Sequence, residues 1–518
     1  MIYHLLYFEN KIIYCYLNLT SFVYCVKLFM VISTLEIFRR YTLDKIEDKN
    51  QKKTEQVNID RPSDQIKIRR KSIIDPNKSL LQVIWQLAWP VIIEMMLLTV
   101  VGIVDMAMVG RLGASSIAAV GLGGQIIMLA TTAFAAIRTG TTALVARHIG
   151  ADDKEGAMVI ARQSVSLTMI LSAVTFVIFS IFARESLVLL GAADDVIALG
   201  VGYIRWRTIG LAFSLITMIF TSMLRGSGDT KTSMYVNIVV NIVNPVLNYM
   251  LIFGNLGAPK MGVSGAALAT TIAQIVGCFL IVRVIFKGEK AIKLSLKDDF
   301  RLKLVPIKRI LNIGIPAMME SVAMRFAQIV FTIILTSLGT ATYAAHQIAI
   351  RAESLSFMPG WGFGVAATTL VGQYLGAERP DLAERAGYIA RNMAVALAIV
   401  MGFAFYFFPF QIVSIFTDDA SVVDKAAQAL RIVALVQPSM AINIVLSGGL
   451  RGAGDTRWVT YITAGSVWIV RLSIAAFCVY VLHWGLIGAW MGMVGDQFIR
   501  SILISIRFAR GKWKTLKV

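Results

Sequence analysis

From Leu81 to Phe508 the chain alternates long apolar runs with short polar breaks. Runs of about twenty residues are what a helix needs to cross the hydrocarbon core of a bilayer. The pattern predicts such runs at 83–109, 114–146, 157–182, 196–223, 232–254, 262–286, 307–337, 342–374, 386–416, 424–447, 457–481 and 486–507. They are continuous and rich in Ala, Gly, Leu and Ile, whereas a membrane barrel alternates apolar and polar residues in strands of roughly ten. The expected fold is therefore an all-α membrane protein with twelve transmembrane helices.

Composition agrees: 57% of the 518 residues are hydrophobic, 16% are charged, and the mean hydropathy is +0.70. The net charge of +19 changes the picture only through its placement. If the stretch before the first run is cytoplasmic, residues 39–80 put 12 Lys and Arg on that side, 287–309 put 8 and the tail after Ile506 puts 5. The opposite side receives only Arg111, Arg184, Lys260 and Lys425. This bias predicts both ends of the core in the cytoplasm of a cell whose plasma (inner) membrane holds the protein, with the basic patches as topology signals and lipid contacts rather than a nucleic-acid surface. The first 38 residues have no cleavage site after their apolar stretch and are expected to be a poorly ordered leader, or to reflect a start upstream of a natural one such as Met30. Residues 40–80 are polar and mixed in charge, as a cytoplasmic tail would be.

A shift of 226 residues brings one half of the chain onto the other. "LRGSGDTKT" from Leu224 falls on "LRGAGDTRW" from Leu450, Pro90 on Pro316, Glu94 on Glu320, Leu112-Gly113 on Leu338-Gly339 and Gly150-Ala151 on Gly376-Ala377. Two six-span halves in tandem share one orientation, related by an axis along the membrane normal. The predicted parts are an extension over 1–80, a first lobe over 81–286, a linker over 287–306, a second lobe over 307–508 and a basic tail over 509–518. In the doubled phrase, Gly226 and Gly452 are expected to end a helix in the left-handed region. Arg225 and Arg451 should complement the helix dipole and reach the headgroups, and Asp229-Thr230 and Asp455-Thr456 should cap the next helix.

The paired "LRGxGDT" phrases, with "VDMAMVGRLG", "TTALVARHIGA", "NPVLNYMLIFG" and "GAALATTIAQ", resemble the multidrug and toxic compound extrusion (MATE) family. The resemblance runs from Leu80 to about Arg510 and implies two pseudo-symmetric lobes around a cleft that opens alternately to each side.

Ionisable residues inside a span usually face a cavity and have a partner or a task. Asp105, deep in the first run, is the leading candidate for binding a coupling cation; the alternative is a carboxyl hydrogen-bonded to a neighbouring helix. In the family an acid at this point is similar in role, supported by an Asn and an Asp on the fifth helix; here those positions are Asn244 and Asn248, and the Asp is absent. Thr270 is a further oxygen donor for a sodium ion at Asp105. Glu320, four residues after Pro316, is the second coupling candidate, and its repeat mate is Glu94. Arg325, Arg351 and Glu353 lie in neighbouring spans, so the other reading of Glu320 is an ion-pair network within the second lobe. Glu94, Arg325, Glu353, Phe357, Met358 and Trp361 are candidates for the wall of a substrate cleft, the last three from "SFMPGWGFG", where Pro359 and the glycines also read as a packing kink.

Four cysteines and four histidines show no metal-ligand spacing, so no cofactor is expected beyond H+ or Na+. No HExxH, GxSxG or catalytic cysteine setting is present, against a membrane-embedded enzyme. The expected function is export of amphipathic, cationic organic compounds by a monomer in exchange for a proton or sodium ion. A rival is a flippase for a lipid-linked precursor, which needs cleft arginines such as Arg138, Arg325 and Arg351 to hold a pyrophosphate.

Overall fold

The structure, a computed structural model, describes residues 78–288, 292–295 and 297–516. The expectations for the first 77 residues, including Met30, Cys15 and Cys25, lie outside the described residues. The twelve expected runs are all helical. They are α1 (Leu80–Gly110), α2 (Ala114–Gly150), α3 (Lys154–Ile181), α4 (Asp194–Ser227), α5 (Thr230–Phe253), α6 (Gly262–Lys287), α7 (Leu304–Thr336), α8 (Thr340–Gly376), α9 (Pro380–Phe407), α10 (Ala420–Ala434 with Gln437–Gly452), α11 (Thr456–Val481) and α12 (Gly485–Ala509). Among the described residues nine are long and apolar enough to cross a membrane, ten with α10 counted as one span. The less apolar α8 and α12 complete the bundle.

Three runs differ in detail from expectation. The ninth stops at Phe407, and Pro409 opens a separate short helix to Ser414. Helix α10 bends by 58° where Pro438, which has no N–H to donate, begins its second part. Helix α11 contains two π-helical segments, Ser466–Arg471 and Phe477–Val481.

The doubled phrase forms tight turns, but not with the residues expected. The left-handed glycines are Gly228 (φ 92°) and Gly454 (φ 87°), two positions later than Gly226 and Gly452. Gly226 and Gly452 are instead sites of close approach: a Cβ on Gly452 would stand 2.1 Å from the Thr368 carbonyl oxygen, and one on Gly226 2.8 Å from that of Thr142. Asp229 caps α5 as expected, accepting from the Thr232 backbone N–H at 3.0 Å and its hydroxyl at 2.7 Å. Asp455 makes no such cap, because its carboxylate accepts from Arg507 Nε at 2.7 Å.

Packing crosses between the halves. The buried core of the second half includes Ile84, Leu87 and Ala88 of α1, and that of the first half includes Ile310 and Ile313 of α7. Ile84 and Ile310, like Leu87 and Ile313, are 226 apart, so each half lends the start of its first helix to the other. The glycines make this possible. A Cβ on Gly314 would lie 1.9 Å from the Ala136 oxygen, and on Gly362 2.8 Å from the Ala88 oxygen. At the helix ends, Gly150 faces the Gln373 oxygen (1.9 Å) and Gly376 the Arg147 oxygen (2.0 Å), again repeat mates. Side chains add Thr369 Oγ1 donating to the Arg225 carbonyl at 2.8 Å and Gln373 Nε2 donating to that of Gly226 at 3.0 Å. The two lobes are thus clamped at the end that carries the doubled turns. Along α8, residues 369–375 are all buried there, whereas its other half alternates buried and exposed positions.

Backbone contact this close leaves no room for a side chain, so Gly376→Val should cost about 1–3 kcal/mol of stability by overpacking. Spin labels on the α2 and α8 ends should report a longer separation in this variant; an unchanged distance with unchanged thermal stability would show that the seam is looser than described.

Candidate functional site

Asp105 is half-buried on α1, and the side chains expected around it converge from α5 and α6. Asn248 Nδ2 donates to Asp105 Oδ1 at 2.6 Å. With its amide nitrogen turned to the carboxylate, Asn244 donates to the two Asp105 oxygens at 2.9 and 3.2 Å, and its oxygen accepts from the Thr270 hydroxyl at 3.1 Å. Asn244 and Asn248 sit one turn apart, so both amides reach the same carboxyl. The Arg207 guanidinium is the nearby positive charge. The arrangement joins one carboxylate, two amides and a hydroxyl in one polar cluster within the first lobe. With both amides turned N–H first, the two Asp105 oxygens are the acceptors of the cluster, and a carboxylate oxygen can take up a proton.

Glu94 and Glu320 occupy equivalent places and do the same thing. Arg225 Nη2 donates to Glu94 Oε1 at 2.7 Å, with Asn237 Nδ2 adding a bond at 3.0 Å. Arg451 Nη2 donates to the Glu320 oxygens at 2.7 and 2.9 Å. Both glutamates are buried. Two expectations are corrected by this. Arg225 and Arg451 do not reach outward to headgroups; each turns inward because a buried carboxylate one helix away answers its charge. Nor do Arg325 and Arg351 form the second lobe's ion-pair network: both are exposed, and among the described residues neither pairs with Glu320 or Glu353.

Glu353 is buried inside the second lobe, and its Oε1 has no hydrogen-bond partner among the described residues. Phe357 lines a small cavity with Ser356, Gln437 and Ile444, among α8, α9 and α10 rather than between the lobes. Met358 is half-buried and Trp361 is exposed.

The sequence reading missed a second ion cluster. Arg471 of α11 and Arg500 of α12 both converge on Asp496, which is fully buried, with Arg471 Nε at 3.0 Å and Arg500 Nη2 at 2.6 Å from its oxygens. The signal was present as one acid and two bases inside the last two apolar runs, with Asp496 and Arg500 at i,i+4 spacing. Among the described residues no group of His, Cys, Asp and Glu is arranged to hold a metal ion, and Cys278 and Cys478 are buried free thiols.

The MatE family model matches residues 90–250 and 316–477, one match per half. A probable multidrug resistance protein NorM of Thermotoga maritima is 34% identical over 445 residues, covering 83% of this chain and 92% of that protein. A crystal structure of MATE in complex with MaL6 superposes with a TM-score of 0.79 at 25% identity, covering 84% of this chain and 98% of the other. The outward-facing conformation of a multidrug resistance MATE family transporter of the MOP superfamily gives 0.78 at 26%, covering 84% and 97%.

Removing Asp496 strands two buried guanidinium groups, which costs far more than a surface pair would. Asp496→Asn should lower unfolding stability in detergent by about 3–5 kcal/mol. A loss below about 1 kcal/mol would mean that water already serves these arginines.

Proposed function

This chain belongs to the MatE family of multidrug efflux transporters, and from that premise we propose that it is a secondary antiporter exporting amphipathic, cationic organic compounds in exchange for a proton or a sodium ion. The protein is a multi-pass membrane transporter and not an enzyme. The observation that carries the proposal is the convergence of Asn244, Asn248 and Thr270 on Asp105. A carboxyl held by neutral amides, rather than locked in an ion pair like Glu94, keeps one exchangeable charge.

In this reading the turn end faces the cytoplasm, as the Lys and Arg placement favours. The clamped lobes then describe a cleft closed to the cytoplasm. A cation arriving at Asp105 from the outside stabilises the form with the weaker hold on substrate, and the lobes re-seat with the cleft turned inward. The cost of opening is the loss of the glycine seam and of the Thr369 and Gln373 bonds, so the transition requires a differential binding energy from cation and substrate rather than tight binding alone. The absence of an acid at Asn248 favours the proton slightly over sodium as the coupling ion.

Asp105→Asn should fold, keep its melting temperature within a few degrees, and lose at least about tenfold of gradient-driven efflux of a fluorescent cation from proteoliposomes. A proton gradient and a sodium gradient applied separately identify the ion. Efflux at the original rate in the variant would overturn the role given to Asp105.

A further inference from the structure

Helices α1 and α5 run in the same direction, and polar side chains meet between them at two levels. Near the turns Asn237 Nδ2 donates to Glu94 Oε1 at 3.0 Å, and farther out Asn248 Nδ2 donates to Asp105 Oδ1 at 2.6 Å. Glu94 and Asp105 are eleven residues apart, as are Asn237 and Asn248, so each helix carries its two groups on one face about 16 Å apart. Asn241 lies on that face of α5, four residues after Asn237 and seven before Asn248. It is only 7% exposed, and among the described residues its Nδ2 has no hydrogen-bond partner. The α1 positions of the facing stripe at this level, Leu98 and Val101, have no polar side chain to offer. Pro245, one turn on, has no N–H to give to the Asn241 carbonyl. At the inner end Glu94 Oε2 is likewise buried and without a partner among the described residues.

This polar stripe is not a requirement of the fold. At the offset of 226 residues, Asn237, Asn241, Asn244 and Asn248 fall on Thr463, Val467, Val470 and Ile474. The ion pair at the inner end is repeated in the second lobe, as Glu320 with Arg451, whereas the amides outward of it are not. Asn244 and Asn248 have Asp105 to hold. Asn241 has no such duty, and a buried amide without a partner costs free energy that an apolar residue at the same place would not. Its N–H, together with the carbonyl that Pro245 leaves without a helical bond, makes a place where water finds both a donor and an acceptor.

We propose that Asn241 is a stop on a polar route along the α1–α5 face, by which the coupling proton moves between Asp105 and the inner end of the stripe at Glu94. The Asp105 carboxyl gives its proton to water held at Asn241 and is left as a carboxylate; the proton passes on toward the turns, and no other bond changes. Glu94 keeps its bond to Arg225 throughout, and Arg207 is the cation near the outer end. The proposal rests on the coupling role given to Asp105 above and adds the way its proton leaves.

The test uses the full chain in proteoliposomes, with rhodamine 6G efflux under an imposed proton gradient measured over a range of dye concentrations. Asn241→Val, which copies the side chain of the second lobe, should lower the maximal rate about tenfold and leave the KM for dye unchanged. Its melting temperature in detergent should hold or rise, because an unpaired buried amide has been removed. Asn241→Ser, which keeps a hydroxyl able to hold water, should recover part of the rate. Asp105→Asn in the same assay separates the two claims. If it loses efflux while Asn241→Val keeps the parent rate, the route is overturned and the role of Asp105 stands; if it keeps efflux, both are overturned. A raised KM with an unchanged maximal rate, or a rate lost together with melting temperature, would make Asn241 a contact for dye or for packing and would likewise overturn the route.

Discussion

A carboxylate buried among membrane helices must be answered by a positive charge on a neighbouring helix, and this fold meets that demand twice with one solution. Glu94 takes Arg225 and Glu320 takes Arg451, both at 2.7 Å. Each pair ties the first helix of a half to the last turn of its fourth. Because the opening turns of α1 and α7 are packed into the opposite core, the pair also fixes how each half is presented to the other. The glycine contacts at Gly314, Gly362, Gly150 and Gly376 close the seam that these anchors set in place. The turns of the LRGxGDT phrases are thus less a hairpin signal than the outer end of an electrostatic tie. Their arginine is the residue that points inward, and their first glycine is the one that lets helices touch.

Much of the fold was legible in the sequence because the bilayer imposes it: length and continuity of apolar runs gave twelve helices, and a constant offset gave two halves. The Asp105 cluster was legible for a related reason, since the helical spacing of Asn244 and Asn248 puts two amides on one face. What the offset does not reveal is contact. It equates Glu94 with Glu320 and Arg225 with Arg451, yet equivalence across a repeat says nothing about pairing within it. Arg325 and Arg351 lie in the same and the next span as Glu320, yet its partner is Arg451. The crossing of α1 and α7 between cores also left no local trace, because Ile84 and Ile310 look like any apolar position. Asp229 and Asp455 show the same limit in the turns: identical phrases, but only one carboxylate is free to cap once Arg507 has claimed the other.

The chemistry lies where the repeat breaks. Asp105 has Phe331 as its mate, and Asn241 has Val467. Phe331 packs against the His346 ring at 5.7 Å, and the fifth and sixth helices of the second half hold the Arg471–Asp496–Arg500 cluster instead of amides around a single acid. At these equivalent places one lobe therefore offers a carboxyl hydrogen-bonded by neutral amides, the other an aromatic contact and, on its fifth and sixth helices, an acid paired with two arginines. Duplicated residues build the frame of the two halves, and Asp105, with its amide neighbours, is not duplicated.

The paired charges act as ties rather than as independent polar groups. A double-mutant cycle in each lobe, Glu94→Gln with Arg225→Met and Glu320→Gln with Arg451→Met, measures this directly by unfolding in detergent. The expected result is a loss of about 3–5 kcal/mol for each arginine removed alone. In each double variant the loss should fall short of the summed single losses by about 2 kcal/mol. Single losses that simply add, or single variants as stable as the parent, would contradict it.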